Sequence, residues 1–207
     1  MLRARSRDLR RVHDPAGTSP GPRSTPGGLR VVTALRYEGV VRHALLSYKE
    51  QHRTDVASAL ARSLAAAVPR AAPPGAAVQV VPVPTSAGAY RRRGYDPVRI
   101  LVRKAGFVPH PVLRASRGTA TQKTLGVADR ADNVRGAFRA RRDLTGRSFV
   151  LVDDILTTGA TLDEAARAVT AAGGTVLGAA TLAFTPRLFS FRDNGHPQDY
   201  RGAKGAQ

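Results

Sequence analysis

A short apolar strand followed by two acids and a hydroxyl-rich loop is the feature that most constrains this chain. The segment 148–152 reads Ser-Phe-Val-Leu-Val, which is typical of a strand buried on both faces of a sheet. Asp153 and Asp154 follow it, and then comes the run Ile-Leu-Thr-Thr-Gly-Ala-Thr. Beyond this run, apolar residues recur at helical spacing up to the glycine pair at 173–174. The pattern predicts a strand, a loop and a helix in that order.

The loop between this strand and this helix carries the chemistry of an anion site. Backbone N–H groups at a helix N-terminus are unpaired and, together with the helix macrodipole, they favour a phosphate. We expect Gly159 to let the backbone approach a ligand closely, and one threonine hydroxyl to cap the helix. The predicted phosphate-binding residues are Thr157, Thr158, Gly159, Ala160 and Thr161.

The two acids ahead of the loop need a different partner, because carboxylates repel a phosphate. A neutral polyol or a cation beside the anion meets that need, and ribose hydroxyls with Mg²⁺ supply both. Asp153 and Asp154 are therefore the predicted catalytic residues and the predicted Mg²⁺ ligands, partly through water. The alternative is an ordinary strand-to-helix turn in which these side chains merely cap the helix, although one capping residue would suffice for that.

Length and composition favour one α/β domain with unstructured ends. The 207 residues contain no cysteine, which excludes disulfides and thiolate metal sites. No stretch approaches the length of a membrane span, and the arginine-dotted start lacks the apolar core of a secretory signal. We therefore expect a cytoplasmic protein without membrane insertion. The net charge of +18 is compatible with a nucleic acid, a membrane surface or a phosphorylated substrate as partner.

The order of predicted elements divides the chain into three parts. Residues 1–28 combine arginine with proline, glycine and serine, and they predict a disordered basic leader. Residues 29–185 alternate strands with helices, which indicates a mostly parallel sheet. Residues 186–207 predict a flexible C-terminal tail. The predicted strands span 29–35, 78–83, 107–113, 148–152 and 175–183, and the predicted helices span 37–49, 55–68, 97–104 and 162–172.

Four pieces of the sequence resemble the ComF family of competence-associated proteins, which carry a type I phosphoribosyltransferase-like domain. They are Tyr37-Glu38-Gly39 with Tyr48-Lys49; Val81-Pro82-Val83-Pro84 with Arg93-Gly94-Tyr95; Thr121-Gln122-Lys123-Thr124-Leu125 with Arg130 and Asn133-Val134-Arg135-Gly136-Ala137-Phe138; and the central loop. The resemblance implies an α/β type I phosphoribosyltransferase fold, with a central, mostly parallel sheet flanked by helices and a small hood. Family members usually open with a cysteine-rich segment resembling a zinc ribbon, which this chain lacks.

The resemblance also implies a pyrophosphate site. In type I phosphoribosyltransferases the loop after the first core strand holds the pyrophosphate of 5-phosphoribosyl 1-pyrophosphate (PRPP), and the loop 84–88 has a similar position. Three adjacent arginines close behind it suit a ligand with several negative oxygens, although a solvated charge run is the alternative. The predicted pyrophosphate-binding residues are Thr85, Ser86, Arg91, Arg92 and Arg93.

The polar segment 114–135 predicts a flexible lid. Closed over a diphosphate, such a lid would exclude water and neutralise the leaving group, whereas the alternative is an ordinary surface loop. The predicted lid residues are Arg117, Gln122, Lys123 and Arg130.

Two hypotheses about function follow. The first is a glycosyltransferase that binds PRPP with Mg²⁺ and passes the 5-phosphoribosyl group to an unidentified acceptor, with a link to DNA uptake implied by the resemblance. The second is a non-catalytic adaptor that senses PRPP or a nucleotide while its basic exterior meets DNA or a competence helicase. A homodimer is also left open.

Overall fold

The computed structural model describes residues 22–50, 55–116 and 134–186. The strands are β1 (Arg23–Ser24), β2 (Arg30–Arg36), β3 (Gln79–Pro82), β4 (Leu113–Ala115), β5 (Phe138–Ala140), β6 (Ser148–Leu156) and β7 (Thr175–Phe184). The helices are α1 (Gly39–Glu50), α2 (Ala57–Ala67), α3 (Ala87–Arg93), α4 (Pro97–Lys104) and α5 (Ala160–Thr170), and a 3₁₀ helix covers Val68–Ala71. None of the helices in these ranges has the length and apolar character of a membrane span.

A five-stranded sheet with the order β1-β2-β7-β6-β3 forms the centre of the fold. The neighbours β2, β7, β6 and β3 are all parallel, and only the two-residue β1 pairs antiparallel. A second sheet consists of the antiparallel pair β4 and β5. The predicted α/β fold with a mostly parallel sheet flanked by helices is confirmed.

Two hydrophobic cores lie on opposite faces of the sheet. The alternation of β6 divides its side chains between them, because successive residues of a strand point to opposite faces. Val150 and Val152 pack in the core that contains α1, α2 and α4. Phe149 and Leu151 pack in the core that contains α5 and the β4–β5 pair. These four residues ahead of Asp153 are therefore buried. Their packing on both faces of the sheet holds the two acids in place near the end of β6.

Three predicted elements differ from the structure. The stretch 107–113 is not a strand, because prolines 109 and 111 offer no N–H; only a bridge from Val80 to Pro109 and the start of β4 remain. The loop predicted at 84–88 ends early, since Ser86 caps α3 by accepting the N–H of Ala89 at 3.3 Å. Residues 22–28, which the sequence analysis placed in the leader, contain β1 and a turn held by main-chain hydrogen bonds.

Glu164 ties α5 to β5. Its carboxylate accepts the Nε of Arg167 at 2.7 Å, the Nη2 at 2.8 Å and the main-chain N–H of Phe138 at 3.3 Å. Burial on its own would raise the pKa of Glu164, but the hydrogen bonds from Arg167 and from the backbone outweigh it, so that the pKa lies below its usual 4.5. The folded state therefore favours the ionised form of Glu164.

Replacing Glu164 by glutamine is expected to lower the free energy of unfolding at neutral pH by about 1–2 kcal/mol, because a charge-assisted pair is lost. A lowered pKa contributes stability that is present above pH 4.5 and is lost as the pH falls through the folded-state pKa. Urea unfolding over that acid range should therefore show a steeper loss for the parent chain than for E164Q. The matched control is E38Q, because the pair of Glu38 with Arg36 is long, at 3.7 Å, and both side chains are more than half exposed. Equal acid sensitivity of all three proteins would contradict the assignment.

Candidate active site

Loops that carry predicted site residues leave the sheet at one edge, where the four parallel strands end. β6 leads into the loop before α5, and β3 leads into the loop before α3. Val83, the first residue after β3, donates its N–H to the carbonyl oxygen of Val152 at 2.8 Å. This bond keeps the two loops side by side. Ligands of open α/β sheets bind at such an edge, in the crevice outside the carboxyl ends of the strands.

Asp153 and Asp154 lie close to this edge and have different partners. The Oδ2 of Asp154 forms an ion pair with the Nζ of Lys49 at 2.6 Å, and both side chains are largely buried. The Oδ1 of Asp153 accepts the main-chain N–H of Asp154 at 2.8 Å. On the neighbouring strand Thr181 lies opposite Asp153, and its buried hydroxyl has no hydrogen-bond partner among the described residues. One lysine thus faces two adjacent carboxylates.

Two adjacent acids beside a single lysine favour protonation of one of the two. Burial, first, and the neighbouring carboxylate of Asp154 raise the pKa of Asp153 to about 8, although Lys49 and the hydrogen bond from Asp154 oppose the shift. A divalent cation beside the pair would favour the ionised form. Within the described ranges no group of three or more His, Cys, Asp or Glu side chains could hold a metal ion. Two adjacent carboxyl groups are a donor set that could hold Mg²⁺, which commonly takes one or two carboxylates and completes its shell with substrate oxygens and water.

Two tyrosines fix the position of Lys49. The hydroxyl of Tyr48 donates to the carbonyl oxygen of Pro97 at 2.8 Å, and the hydroxyl of Tyr95 donates to the carbonyl oxygen of Tyr48. The two rings are 6.0 Å apart and tilted by 57°. Burial, first, and the nearby Tyr95, Asp96 and Asp154 raise the pKa of Tyr48 well above its usual value, which keeps its hydroxyl a donor. The end of α1 is thereby fastened to the start of α4.

The predicted phosphate loop is packed from behind by another part of the chain. Gly159 is the N-cap of α5, with a φ of 87°, and this N-cap residue makes no side-chain capping bond. The hydroxyl of Thr158 accepts the N–H of Ala160 at 3.4 Å, which is at most a weak bond. A Cβ at Gly159 would lie 2.9 Å from Thr25. The space that the glycine leaves is thus filled by the chain itself.

Residues 25–29, which we name the Thr25 turn, hold the first turn of α5. The hydroxyl of Thr25 and the N–H of Gly27 donate to the two carboxylate oxygens of Asp163, the second at 2.9 Å. Thr25 in turn accepts the N–H of Leu29 at 3.0 Å. Because Asp163 lies in the first turn of α5, these bonds set the orientation of that turn and of the loop ahead of it.

The predicted pyrophosphate residues divide between a loop and a helix. Thr85 precedes α3 and Ser86 caps it, whereas Arg91, Arg92 and Arg93 form its last turn. Arg91 and Arg92 are exposed, and Arg93 is partly buried beside Tyr95, where its charge acts to lower the tyrosine pKa against the larger, raising effect of burial. A role in binding pyrophosphate stays a prediction for all five. The predicted lid residues Arg117, Gln122, Lys123 and Arg130 lie outside the described residues.

Lys49, Asp96 and Thr181 are site residues to which the sequence analysis gave no role. Asp96 caps α4 by accepting the N–H of Arg99 at 3.1 Å, and its charge contributes to the raised pKa of Asp153. Tyr48-Lys49 appears among the motifs that carry the family resemblance, which is the one signal that could have indicated the lysine.

The chain is similar in sequence to several known proteins. A profile of the phosphoribosyl transferase domain family matches residues 91–196. The DNA utilization protein YhgH of Escherichia coli K12 is 31% identical over 150 residues, which cover 69% of this chain and 66% of that protein. The chain thus spans just under two thirds of this relative's length. An adenine phosphoribosyltransferase of Rhodococcus jostii is 40% identical over 87 residues, or 40% of this chain and 42% of the enzyme.

A solved structure whose backbone is partly similar to this chain is the adenine phosphoribosyltransferase of Thermoanaerobacter pseudethanolicus. Its TM-score is 0.41 at 21% identity, over 72% of this chain and 77% of that one.

Proposed function

The chain is a ComF-like member of the phosphoribosyl transferase domain family, and from this premise we propose that it binds PRPP with Mg²⁺ in the cytoplasm. The observation that carries the proposal is the pairing of two partly buried acids with a helix N-terminus at one edge of the sheet. Such a site offers hydroxyl-binding carboxylates and phosphate-binding N–H groups side by side.

Each part of PRPP has a matching group in this site. The 5-phosphate is held by the N–H groups of the loop and of the first turn of α5, which have no partner inside the helix. Asp153 and Asp154 accept hydrogen bonds from the ribose 2- and 3-hydroxyls and would hold the cation, partly through water. Mg²⁺, when bound, neutralises negative charge on the pyrophosphate. Thr85 and Ser86, with the arginines of α3, complete the pyrophosphate side.

The proposed transfer reaction would use this arrangement as follows. The bond between the anomeric carbon of the ribose and the pyrophosphate oxygen breaks, and the pyrophosphate leaves with that bonding pair. The acceptor forms a bond to the same carbon with its own electron pair, and its proton passes to solvent water. Positive charge grows on the sugar as the old bond lengthens, and the two carboxylates stabilise it electrostatically. The arginines stabilise the negative charge that grows on the leaving oxygens.

Replacing Asp154 by asparagine is expected to weaken the binding of PRPP with Mg²⁺ by about 10- to 100-fold, the usual effect of losing hydrogen bonds to a charged group. The same change at Asp153 should act in the same direction. Isothermal titration calorimetry measures the affinity, and thermal unfolding of each variant shows whether the loss of the Lys49 partner has disturbed the fold.

The control for both variants is Asp143→Asn, which makes the same chemical change at an exposed acid whose partner is Thr145. It should bind PRPP as the parent chain does. Undiminished affinity in D153N and D154N, with both variants folded, would remove the two acids from the site. Absence of PRPP binding by the parent chain would defeat the proposal as a whole.

The second candidate is a binding protein that couples PRPP or a nucleotide to the handling of DNA without turnover. It is favoured by those relatives that are named DNA utilization proteins. Release of pyrophosphate from PRPP, measured over a panel of nucleobases, separates the two. Turnover with one base establishes the transferase, whereas PRPP binding without release, together with salt-dependent binding of DNA or of a helicase, establishes the adaptor.

A further inference from the structure

A basic groove lies between β5 and the C-terminal half of α5. Its volume is about 850 Å³. Five arginines line it, with one acid and a floor of small residues from both elements. The lining residues that matter are Arg135, Arg139, Arg141, Arg142, Arg167, Asp143, Ala140, Ala168, Ala171 and Ala172.

The positive charge of this groove is not neutralised from within. Arg135, Arg139 and Arg142 are exposed, and no carboxylate of the described residues pairs with any of them. Arg141 donates a hydrogen bond from its Nε to the carbonyl oxygen of Leu113 at 3.2 Å. Its two terminal nitrogens are thereby left for a ligand. Asp143 directs its carboxylate to the hydroxyl and N–H of Thr145, at 2.8 and 3.2 Å.

The structure of the groove does not require this charge. A helix C-terminus is stabilised by one or two nearby cations, and Arg167 already serves the fold through Glu164. Arg135, Arg139 and Arg142 form no side-chain bond that holds an element in place among the described residues. A cluster of exposed like charges without carboxylate partners suits a polyanionic ligand.

We propose that this groove binds the phosphodiester backbone of a nucleic acid. Guanidinium groups suit phosphate oxygens, and the alanine floor lets a strand approach the backbone of α5 closely. No exposed aromatic ring is among the lining residues, so bases do not stack and binding is independent of sequence. A nucleic acid carries one negative charge per nucleotide, a density that an acidic peptide segment rarely reaches.

The groove is separate from the proposed PRPP site. It borders α5 from Arg167 onward, whereas the proposed phosphate site consists of residues 157–161 and the first turn of α5, at the other end of the helix. The distance along the axis from Ala160 to Ala168 is about 12 Å, at the usual rise per residue. The inference therefore does not depend on PRPP binding, and failure of one proposal leaves the other intact.

The test is fluorescence anisotropy with the full chain and short labelled oligonucleotides, measured over a series of salt concentrations. Single-stranded and duplex DNA and the matching RNAs form separate arms, which identify the source of the backbone. The groove variant is R139Q/R142Q. Its matched control is R62Q/R103Q, which removes the same charge from exposed sites on α2 and α4, across the sheet. PRPP calorimetry on both variants shows that the other site is unchanged.

The groove variant should lose about tenfold or more in affinity, and the slope of log K against log salt should fall by about 2, or one unit for each phosphate contact. The control should change by less than about twofold, since diffuse charge contributes little at moderate salt. Equal losses in the two variants would assign binding to the overall charge and overturn the proposal. Equally tight binding of a labelled polyglutamate of the same charge would assign the groove to an acidic protein and overturn it as well.

Discussion

Replacing Gly159 by alanine is expected to lower the free energy of unfolding by about 2–4 kcal/mol and to abolish PRPP binding. Two costs add together. The residue has a φ of 87°, a left-handed conformation that costs any residue with a Cβ, and the new methyl group would lie 2.9 Å from the Cβ and Cγ2 of Thr25 and 3.2 Å from the Cδ of Pro26. To relieve the contact, the Thr25 turn must move away from the N-terminus of α5. The predicted phosphate-binding residues 157–161 then lose the packing that orients them.

Gly28→Ala is the control that separates these two costs. Gly28 has a similar φ of 84°, but nothing lies within 4 Å of a methyl group added there, so only the conformational cost of about 1–2 kcal/mol applies. Urea unfolding and PRPP calorimetry on both variants measure the difference. If Gly159→Ala behaved as Gly28→Ala does, then the Thr25 turn would not press on the loop in solution.

This glycine also shows where sequence reasoning reaches its limit. The strand, loop and helix around Asp153 were predictable, because an apolar run and a helical period are local signals. The partner of Gly159 was not, because Thr25 is more than a hundred residues away and lies in a stretch whose proline and glycine are typical of a disordered leader. The sequence analysis assigned the glycine to ligand approach, whereas in the structure its open side faces the Thr25 turn.

In the candidate site, too, some residues carry a local sequence signal and others come together only in the folded chain. Asp153 and Asp154 were recognisable from the apolar run that precedes them, although β6 continues through both to Leu156. Lys49 was not predictable, because the helix that carries it reaches the acids only through the tertiary fold. The basic groove is a similar case. Arg139, Arg141 and Arg142 are close in sequence, yet they become one surface with Arg167 only when β5 packs on α5. Composition indicated a large positive charge, and only packing shows where part of it is concentrated.

Replacing Gly178 by alanine is expected to destabilise the fold by about 3 kcal/mol or more, the upper range for overpacking. A Cβ at this position of β7 would lie 2.1 Å from the carbonyl oxygen of Ala71 and 3.3 Å from that of Arg30. These are main-chain atoms, so no side chain can rotate away. The 3₁₀ helix that contains Ala71 must therefore move. This movement disturbs the 2.7 Å hydrogen bond from the side chain of Arg30 to the carbonyl oxygen of Arg70.

Gly88→Ala is the matched control, because Gly88 lies in the exposed helix α3 with nothing within 4 Å of an added methyl group. It should stabilise the chain by about 0.5–1 kcal/mol, since alanine favours a helix. Urea unfolding compares the two, and a loss below about 1 kcal/mol in Gly178→Ala would show that the sheet yields more easily than its packing indicates. The Gly178→Ala change should also disturb the proposed PRPP site, because β7 contains Thr181, the residue opposite Asp153. PRPP affinity per folded molecule should therefore fall in Gly178→Ala and not in Gly88→Ala.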